Sequence, residues 1–306
     1  MTLFRQTVVR DNLVQRARIV TAVRQFFAEQ DYLEVETPVR IPAPAPELHI
    51  DAQPSGDWFL QTSPELCMKR LLAAGCPRIF QICKCFRQNE RGRKHLPEMT
   101  MLEWYTADAD YTHMMKQCRD LILFVARQLK FPSPLHYGDH AIELHEPWQR
   151  MTVSEAFERF SPVSMTAALQ NQRFDEIMGL EIEPHLGLTR PLFLYDYPAA
   201  CGALARLKPG RPEVAERFEL YMGGLELCNG FSELTDAAEQ RQRFGEESER
   251  RRAAGKSGYP LSEPFLKALE SMPAATGNAL GIDRLVMLLL NRDRIDDVVA
   301  FIPEEL

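Results

Sequence analysis

Residues 86–105 read FRQNERGRKHLPEMTMLEWY, and the pattern on both sides of this stretch indicates how the chain folds. The segment leading into it, RIFQICKCFR at 78–87, alternates with period two, which puts its bulky apolar residues on one face of a strand and Arg87 on the other. After the loop the chain alternates again through EMTMLEWY, so that Glu103 and Tyr105 fall on the same face. The simplest arrangement is two antiparallel strands joined by a basic loop.

The loop between these strands carries a group of basic residues, namely Arg91, Arg93, Lys94 and His95. Together with Arg87 at the strand end, they could hold a polyphosphate through charge-assisted hydrogen bonds, which arginine makes with a bidentate fork. A charged loop that is merely solvated is the alternative. Glu103 and Tyr105 favour a binding site, because an acid and a phenol beside an apolar shelf suit an amine next to a flat ring.

A second region, RFELYMGGLELCNGFSEL, predicts a β-hairpin. Gly223 and Gly224 separate two β-rich runs, and a two-residue type I′ turn needs positive φ at both central positions. This turn predicts three cross-strand pairs, Met222 with Leu225, Tyr221 with Glu226, and Glu219 with Cys228.

The same hairpin brings acidic side chains together. In the predicted register Glu219 and Glu226 share a face as diagonal neighbours, with Cβ atoms about 7 Å apart. Carboxylates at that spacing can reach a common Mg²⁺, whose bonds to oxygen measure about 2.0–2.1 Å. Exposed glutamates paired with Lys or Arg are the alternative. Glu233 follows a Gly-containing bend and adds a third carboxylate at this end of the hairpin.

A third region, TGNALGIDRLVMLLLN, places two glycines before an apolar helix that starts near Ile282 and must be buried. Asp283 in its first turn suits the helix dipole, whereas Arg284 does not. Packing of a glycine under the helix explains part of this pattern. An arginine against the dipole preference, next to Gly277 and Gly281, favours a ligand phosphate or ring as its partner.

The rest of the chain predicts further elements. A helix over 12–30 is capped by Asp11 or Asn12, and a strand follows in YLEVETP, which Pro38 ends. The proline-rich stretch 40–58 predicts a surface connector. Helices are also predicted over 111–130 and 236–254, and the charge of the second indicates a solvated face without a functional role.

Composition limits the class of protein. The chain has 306 residues, 45% hydrophobic and 26% charged, without repeats, which predicts one continuous domain, residues 1–306. Its net charge of -7 excludes a bulk basic field for nucleic acid. Seven cysteines without paired spacing indicate reduced thiols rather than disulfides or a zinc site. No apolar run suits a membrane span or signal peptide, so we expect no membrane contact and a cytoplasmic location.

Taken together, the three regions resemble the signature motifs of class II aminoacyl-tRNA synthetases, in particular the lysyl-tRNA synthetase core. YLEVETP resembles the first motif, which forms the dimer interface; the opening stretch resembles the second, and GNALGIDR the third. QTSPELCMKRLLAAG and ELCNGFSELTDAAEQRQRF extend the resemblance over nearly the whole chain. It implies an α+β fold with an antiparallel sheet flanked by helices, a homodimer, and the joining of lysine to ATP as lysyl-adenylate.

Lysyl-tRNA synthetases carry an OB-fold anticodon-binding domain before this core, and a first helix beginning by about residue 12 leaves no room for it. We therefore expect a single catalytic domain without an N-terminal OB-fold. This arrangement resembles the branch of the family that transfers an activated lysine, there (R)-β-lysine, to a lysine side chain of elongation factor P, an acceptor that mimics tRNA in shape. Ala279, where tRNA-charging enzymes usually have glycine, fits this branch because its methyl would reshape the amino-acid pocket.

For the amino acid, the resemblance implies a set of binding residues, namely Ser63, Pro64, Glu65, Glu103, Tyr105, Asn229, Glu233 and Ala279. Glu65 would hold the ammonium next to the reacting carboxyl group. The far amine would be recognised by four others, Glu103, Tyr105, Asn229 and Glu233. Carboxylates and a phenol are suited to this task because they pair with a desolvated ammonium.

For ATP, the implied residues are Arg87, Gln88, Asn89, Glu90, His95, Leu96, Met99, Glu226, Leu227, Gly281 and Arg284. Arg87 would bind the α-phosphate, His95 and the loop arginines the outgoing phosphates, and Arg284 the γ-phosphate and adenine face. Glu219 and Glu226 would hold Mg²⁺. Arg87, Arg284, Glu219 and Glu226 would thus be catalytic, by positioning and charge neutralisation of an in-line displacement at the α-phosphorus.

Three positions depart from the family pattern. Asn89 and Leu96 stand where the family usually has Glu and Asn, although Glu90 next door can substitute for the first. Met99 stands in place of the phenylalanine that stacks on adenine. Because a thioether is soft and can still pack against a ring, we expect looser nucleotide binding rather than none.

Two alternatives stay open at this point. One is a minimal lysyl-tRNA synthetase that charges tRNA with α-lysine, although the missing anticodon domain and the acidic balance make tRNA an improbable partner. The other is a catalytically silent, synthetase-like sensor. That second alternative predicts damage at the catalytic positions, and all four catalytic residues named above are present.

Overall fold

A computed structural model of the protein describes residues 4–145 and 147–306. The helices are α1 (Arg5–Ala28), α2 (Glu65–Ala73), α3 (Tyr111–Gln128), α4 (Val153–Phe160), α5 (Met165–Gln170), α6 (Phe174–Ile177), α7 (Ala237–Ala253), α8 (Glu263–Leu269) and α9 (Ile282–Leu289). The strands are β1 (Leu33–Glu34), β2 (Arg40–Ile41), β3 (Pro54–Ser55), β4 (Trp58–Leu60), β5 (Arg78–Phe86), β6 (Glu98–Ala107), β7 (Leu135–Tyr137), β8 (His140–Ile142), β9 (Gln149–Thr152), β10 (Leu192–Pro198), β11 (Leu207–Lys208), β12 (Arg211–Met222), β13 (Leu225–Ser232) and β14 (Ala275–Gly281).

One large sheet organises the described residues. Its nine strands there follow the order β1-β5-β6-β14-β13-β12-β10-β9, and β11 pairs with β12. The pairs β1·β5 and β9·β10 are parallel, and the other pairs are antiparallel. The predicted fold class, an antiparallel-rich sheet flanked by helices, is confirmed.

Helices cover both faces of this sheet. On one face α1, α3 and α9 form the main core, where Phe27 stacks on Phe80 with ring centroids 4.6 Å apart. On the other face α2 and α8 pack around Tyr105. A separate cluster holds α4 and α6 against β10. No helix within the described ranges is both long and apolar enough to cross a membrane.

Strands β5 and β6 form the predicted hairpin. Cys83 lies opposite Met101 and Gln81 opposite Glu103, in an unbroken antiparallel register. Trp104 points into the main core, so Glu103 points to the opposite face. The alternation read from the sequence is therefore confirmed.

The β12–β13 hairpin differs from its prediction at one pair. Gly223 and Gly224 have positive φ, and the predicted pairs Met222–Leu225 and Tyr221–Glu226 are confirmed. The predicted pairing of Glu219 with Cys228 is wrong, because Glu219 pairs with Asn229. A bulge between Leu220 and Tyr221 adds one residue to β13 and shifts the register beyond it. Glu219 and Glu226 nevertheless line the same cavity.

The N-terminal elements differ in extent from their predictions. Helix α1 begins at Arg5 rather than at residue 12, and neither Asp11 nor Asn12 caps it. The Arg5 guanidinium donates to the carbonyls of Val299 and Ala300, so contacts with the C-terminal segment support the extra turns. The predicted strand YLEVETP shortens to β1, which pairs with β5 at the edge of the sheet.

The proline-rich stretch is more than a connector. It contains β2, β3 and β4, which form a three-stranded sheet, and its residues Pro44 and Pro46 are buried. Helices α3 and α7 end within two residues of their predicted limits. The prediction that α7 is only a solvated face is wrong for Arg251, which is 1% exposed and bonds to the Pro-rich stretch.

Candidate active site

A cavity of about 580 Å³ opens between the β5–β6 loop, the β12–β13 hairpin and the start of α9. It brings together most of the predicted nucleotide and metal residues, namely Arg87, Asn89, Glu90, His95, Leu96, Met99, Glu219, Glu226, Leu227, Gly281 and Arg284. Asn229 and Ala279 of the predicted amino-acid site also line it. The three separate sequence regions therefore meet at one place.

One part of the cavity wall is apolar. Leu96, Met99, Leu227 and Ile295 lie there, and Leu96 is also packed into the main core. Two of the unusual positions thus supply an aliphatic and thioether surface on which a flat ring can pack. Asn89 has a φ of 65°, a left-handed conformation that asparagine tolerates better than most residues.

Arg284 connects three elements at the cavity edge. Its Nη1 donates to the carbonyl and carboxylate oxygens of Glu226 at 2.9 and 3.0 Å, and its Nη2 contacts His95. Burial, together with the positive charge of Arg284, lowers the pKa of His95 to about 4. The imidazole is therefore neutral at neutral pH and acts as a hydrogen-bonding group rather than as a cation.

Glu219 of β12 and Glu226 of β13 lie on the wall of the same cavity. Arg217 donates to Glu219 at 2.6 Å, and Tyr221 donates to its other oxygen at 2.6 Å. Burial raises the pKa of Glu219; Arg217 opposes the rise, and the charge of Glu226 reinforces it. Burial alone would raise the pKa of Glu226, but the Arg284 guanidinium outweighs it and lowers that pKa.

Behind the cavity lies a buried cluster that contains the predicted amine-binding acids. Glu103 is 1% exposed and accepts hydrogen bonds from Ser63 at 2.5 Å and from Tyr105 at 2.9 Å. Burial raises the pKa of Glu103 to about 8, and the charge of Glu65 contributes to this rise. The carboxyl group therefore holds its proton at neutral pH until a cation approaches.

Lys69 is the cation of this cluster, and the sequence analysis did not identify it. Its ammonium lies 2.6 Å from Glu65 and 2.5 Å from Glu233, and its side chain is inaccessible to solvent. Burial raises the pKa of Glu233 to about 8 even though Lys69 lowers it. The Oε1 atom of Glu233 is buried without a hydrogen-bond partner among the residues described.

The floor of the cluster is β14. Gly277 lies so close to its neighbours that a Cβ atom there would be 2.3 Å from Glu233 Oε1 and 2.3 Å from Tyr105 Cε1. Ala279, two residues on, faces the cavity opposite Asn229 and Glu103 in the two flanking strands. The absence of a side chain at Gly277 leaves room for the Glu233 carboxylate. The Ala279 methyl occupies space in the adjoining cavity wall.

Some predicted residues lie outside this arrangement. Gln88 is exposed and lies outside the cavity wall, and Pro64 is buried at the start of α2. Among the loop cations, Arg91 forms ion pairs with Asp296 and Glu304, and Arg93 forms one with Asp293. Their charge is therefore already partly neutralised.

Sequence reasoning also missed Glu47 and Arg217, which line the cavity. Arg217 stands two residues before Glu219 on the same strand, so period-two alternation could have found it. Lys69 follows Glu65 by four residues on a helix, which is the spacing of an ion pair. Glu47 lies in the proline-rich stretch, where no periodic pattern predicts which way a side chain points.

An antiparallel sheet with a cation-lined cavity that ends in buried carboxylates defines a class II synthetase type of catalytic domain. The family described as tRNA synthetases class II (D, K and N) matches residues 1–305, and the chain belongs to this family.

Within curated proteins, the chain is similar to enzymes named "Elongation factor P--(R)-beta-lysine ligase". The one from Salmonella arizonae is 39% identical over 306 residues, which covers 95% of this chain and 94% of that protein. The one from Enterobacter sp. (strain 638) is 39% identical with the same coverage. The one from Erwinia tasmaniensis is 40% identical over 308 residues, again at 95% and 94% coverage.

Proposed function

We propose that this protein activates a lysine-type amino acid with ATP as an adenylate and transfers it to a lysine side chain of elongation factor P. The observation that carries the proposal is the buried carboxylate cluster next to the cavity, where Glu103 pairs with Ala279 of the cavity wall. With Lys69 included, the three acids Glu65, Glu103 and Glu233 leave two uncompensated negative charges when ionised. A lysyl group bears two ammonium groups, so it complements that charge.

The position of the cations supports an adenylation step. Arg87 and Arg284 line the cavity outside the carboxylate cluster, where the phosphates of ATP would lie. Arg87 would bind the α-phosphate while Glu65 holds the ammonium, which aligns the substrate carboxylate for in-line attack on phosphorus. Neutral His95 would donate a hydrogen bond to the outgoing phosphates. Positioning and charge neutralisation suffice, and no protein nucleophile is required.

Glu219 and Glu226 fit a Mg²⁺ ion. Both line the cavity, and the charge of Glu226 raises the pKa of Glu219, so a divalent cation between them would relieve a repulsion. Mg²⁺ is commonly held by one or two carboxylates together with substrate phosphates. When bound, it would neutralise charge on the transferred phosphate oxygens.

The relatives' names support (R)-β-lysine as the amino acid and elongation factor P as the acceptor. The Ala279 methyl supports the isomer, since it narrows the floor where the amino group of an α-lysine would lie. Because the acceptor is a translation factor, we place the reaction in the cytoplasm. We also propose a homodimer formed through the first-motif region, where Leu33 and Val39 are exposed.

The test is the intact mass of elongation factor P after incubation with the protein, ATP, Mg²⁺ and either α-lysine or (R)-β-lysine. A gain of one lysyl unit, with tRNA left uncharged in a parallel assay, is the expected result. The isomer that gives the larger rate identifies the substrate. Charging of tRNA without a gain on the factor would instead support a minimal synthetase, and ATP binding without either product a sensor.

A matched pair of variants locates the activity in this site. Glu103→Gln removes a buried ligand of the far ammonium and should lower the rate of lysine-dependent ATP–pyrophosphate exchange about 100-fold or more. Glu158→Gln, on the exposed face of α4, should leave that exchange unchanged. Equal activity of the two variants would contradict the proposed amine site.

A further inference from the structure

Transfer of the amino acid to a protein lysine needs a proton acceptor. A lysine side chain has an ordinary pKa of about 10.4, so it arrives as an ammonium and must lose protons to form an amide. The acceptor must lie beside the carbonyl carbon of the adenylate. That carbon sits between the phosphate and the carbon that carries the ammonium.

Five carboxylates line the cavity, and four of them have cationic partners within it or beside it. These pairs are Glu90 with Arg87 at 3.8 Å, Glu219 with Arg217 at 2.6 Å, Glu226 with Arg284 at 3.0 Å, and Asp283 with Arg16 at 2.6 Å. The fifth is Glu47. Among the residues that the structure describes, its carboxylate has neither an ion pair nor a hydrogen bond.

The surroundings of Glu47 are those expected near the reacting carbon. Four charged groups act on its carboxylate, namely Arg87 at the end of β5, Glu65 of α2, Arg217 of β12 and Glu247 of α7. Arg87 is the proposed α-phosphate ligand and Glu65 the proposed ammonium ligand. Glu47 lines the same cavity as Arg87, and the charge of Glu65 acts on it, so it lies on the side where the carbonyl group between phosphate and ammonium would be held.

The backbone around Glu47 is held firmly. Buried Arg251 donates to the carbonyl oxygen of Glu47 at 2.7 Å and to that of Ile50 at 3.0 Å. The Glu47 amide donates to Ala45 at 3.0 Å, and Pro46 fixes φ just before it. A carboxylate carried on such a segment keeps its place without a side-chain partner, as a catalytic group must.

We propose that Glu47 is the general base of the transfer step, an inference that rests on the proposed function. The acceptor amine enters as the free base after losing one proton to solvent. Its lone pair forms the C–N bond to the adenylate carbonyl, the C–O bond to phosphate breaks, and AMP leaves with that electron pair. The surplus proton on nitrogen passes to Glu47, which releases it to solvent.

The protonation behaviour of Glu47 suits this task. Burial raises its pKa to about 6; Arg87 opposes the rise, whereas Glu65 reinforces it. A base with a pKa just below the working pH is ionised yet basic enough to accept a proton in the transition state. His95, a second potential proton acceptor in the cavity, is held by Arg284 on the phosphate side.

The experiment separates the two half-reactions in Glu47→Gln. Adenylate formation is followed by ATP–pyrophosphate exchange and by trapping with hydroxylamine, which is largely unprotonated at neutral pH and needs no base. Transfer is followed by the mass of elongation factor P. We expect exchange and trapping within about threefold of the unaltered protein, and transfer lowered by about 10²–10⁴-fold.

A pH profile and two further variants complete the test. Transfer by the unaltered protein should rise through about pH 6, and this limb should be absent in Glu47→Gln. Glu47→Asp should recover part of the transfer rate, and Glu158→Gln should match the unaltered protein.

Undiminished transfer in Glu47→Gln would overturn the inference, as would an equal loss of exchange, trapping and transfer, which indicates a structural role. Failure of the proposed function itself differs from both, because the unaltered protein would then give no mass gain.

Discussion

At the scale of single residues, burial of Glu103 and Glu233 makes the pH dependence of this protein predictable. The pKa of each is raised to about 8, chiefly by burial. Because the folded pKa lies above the ordinary value of 4.5, their contribution to stability is full below pH 4.5 and is lost as the pH rises through about 8. A bound ammonium favours the ionised forms of both acids, so it opposes this loss of stability at high pH.

The ligand-free protein should therefore lose thermal stability between pH 5.5 and 8.5, and the rise in Tm caused by the lysine substrate should grow over that range. Binding near pH 7 should release roughly two protons, one from each acid, which calorimetry in buffers of different ionisation enthalpy measures. Glu103→Gln should release fewer protons. A Tm shift that shrinks with rising pH would contradict the assignment.

Lys69 makes a second prediction at this scale. Burial alone would lower the pKa of its ammonium, but Glu233 and Glu65 outweigh this and raise it. Lys69→Met leaves two buried carboxylates facing each other and should lower the free energy of unfolding by about 3–5 kcal/mol. The KM for lysine should rise at least tenfold, because the unpaired acids take up protons.

Denaturant titrations measure the stability change, and pyrophosphate exchange measures KM. Lys84→Met is the matched control, since its ion pair with Glu98 is half exposed and should be worth less than about 1 kcal/mol. Adding Glu233→Gln to Lys69→Met should recover part of the lost stability. Additive losses in that double variant would show that the two groups are independent.

At the scale of elements, strand β14 carries a prediction through its glycine. In Gly277→Ala the added Cβ atom would lie 2.3 Å from Glu233 Oε1 and 2.3 Å from Tyr105 Cε1. Gly277 is on β14, which is hydrogen-bonded to a neighbouring strand on each side. We expect a loss of about 1–3 kcal/mol of stability and little or no lysine activation.

The control is Gly245→Ala on α7, where a Cβ atom would meet nothing within 4 Å. It should raise stability by about 0.5–1 kcal/mol, since alanine suits a helix interior better than glycine. Thermal melts of both variants measure the change in stability, and pyrophosphate exchange measures lysine activation. Normal exchange in Gly277→Ala would show that the floor of the pocket is not tightly packed.

Elements also show what local sequence can predict. The faces of β5 and β6 follow from period-two alternation, which is a property of the strand itself, and so Glu103 was placed on the correct face. The cross-strand partner of Glu219 was predicted wrongly, because a bulge depends on how two strands twist together. Turn chemistry at Gly223 and Gly224 fixed only the pairs next to the turn.

The wrong predictions for α7 and for the proline-rich stretch share a physical cause. Arg251 lies in a strongly charged helix, yet its guanidinium is buried because the carbonyls of a segment some 200 residues away satisfy it. Glu47 lies on that same segment, whose direction is set by this contact rather than by local pattern. Such long-range partners are invisible to composition and periodicity, which predicted a solvated face and a connector.

At the scale of the whole molecule, the sheet explains why the active site is where it is. Strands β6, β14 and β13 lie side by side and contribute Glu103, Ala279 and Asn229 to one level of the same face. Helix α2 adds Glu65 and Lys69 from above. The amine pocket is thus built on hydrogen-bonded strands, whereas the phosphate side is built from the loop after β5 and from the start of α9.

The edge of this sheet bears on assembly. β1 is the terminal strand, so its outer side presents unpaired backbone groups, and Leu33 on it is 55% exposed. Val39, five residues beyond β1, is also exposed. Apolar side chains next to an open strand edge form a surface that a second copy of the chain could cover, which is how we expect the proposed homodimer to form.

Light scattering should therefore give twice the chain mass of 35.1 kDa for the unaltered protein. Leu33→Asp puts a charge at the centre of the proposed interface, where desolvating it costs several kcal/mol, and should yield monomers. Leu180→Asp is the matched control. Leu180 is 74% exposed on a distant helical turn, so this variant should leave the dimer intact.

If both variants stay dimeric, the interface lies elsewhere. If the unaltered protein is monomeric, the exposed edge of β1 must be tolerated in isolation. A monomeric Leu33→Asp that still exchanges pyrophosphate at the normal rate would further indicate that each subunit holds a complete site.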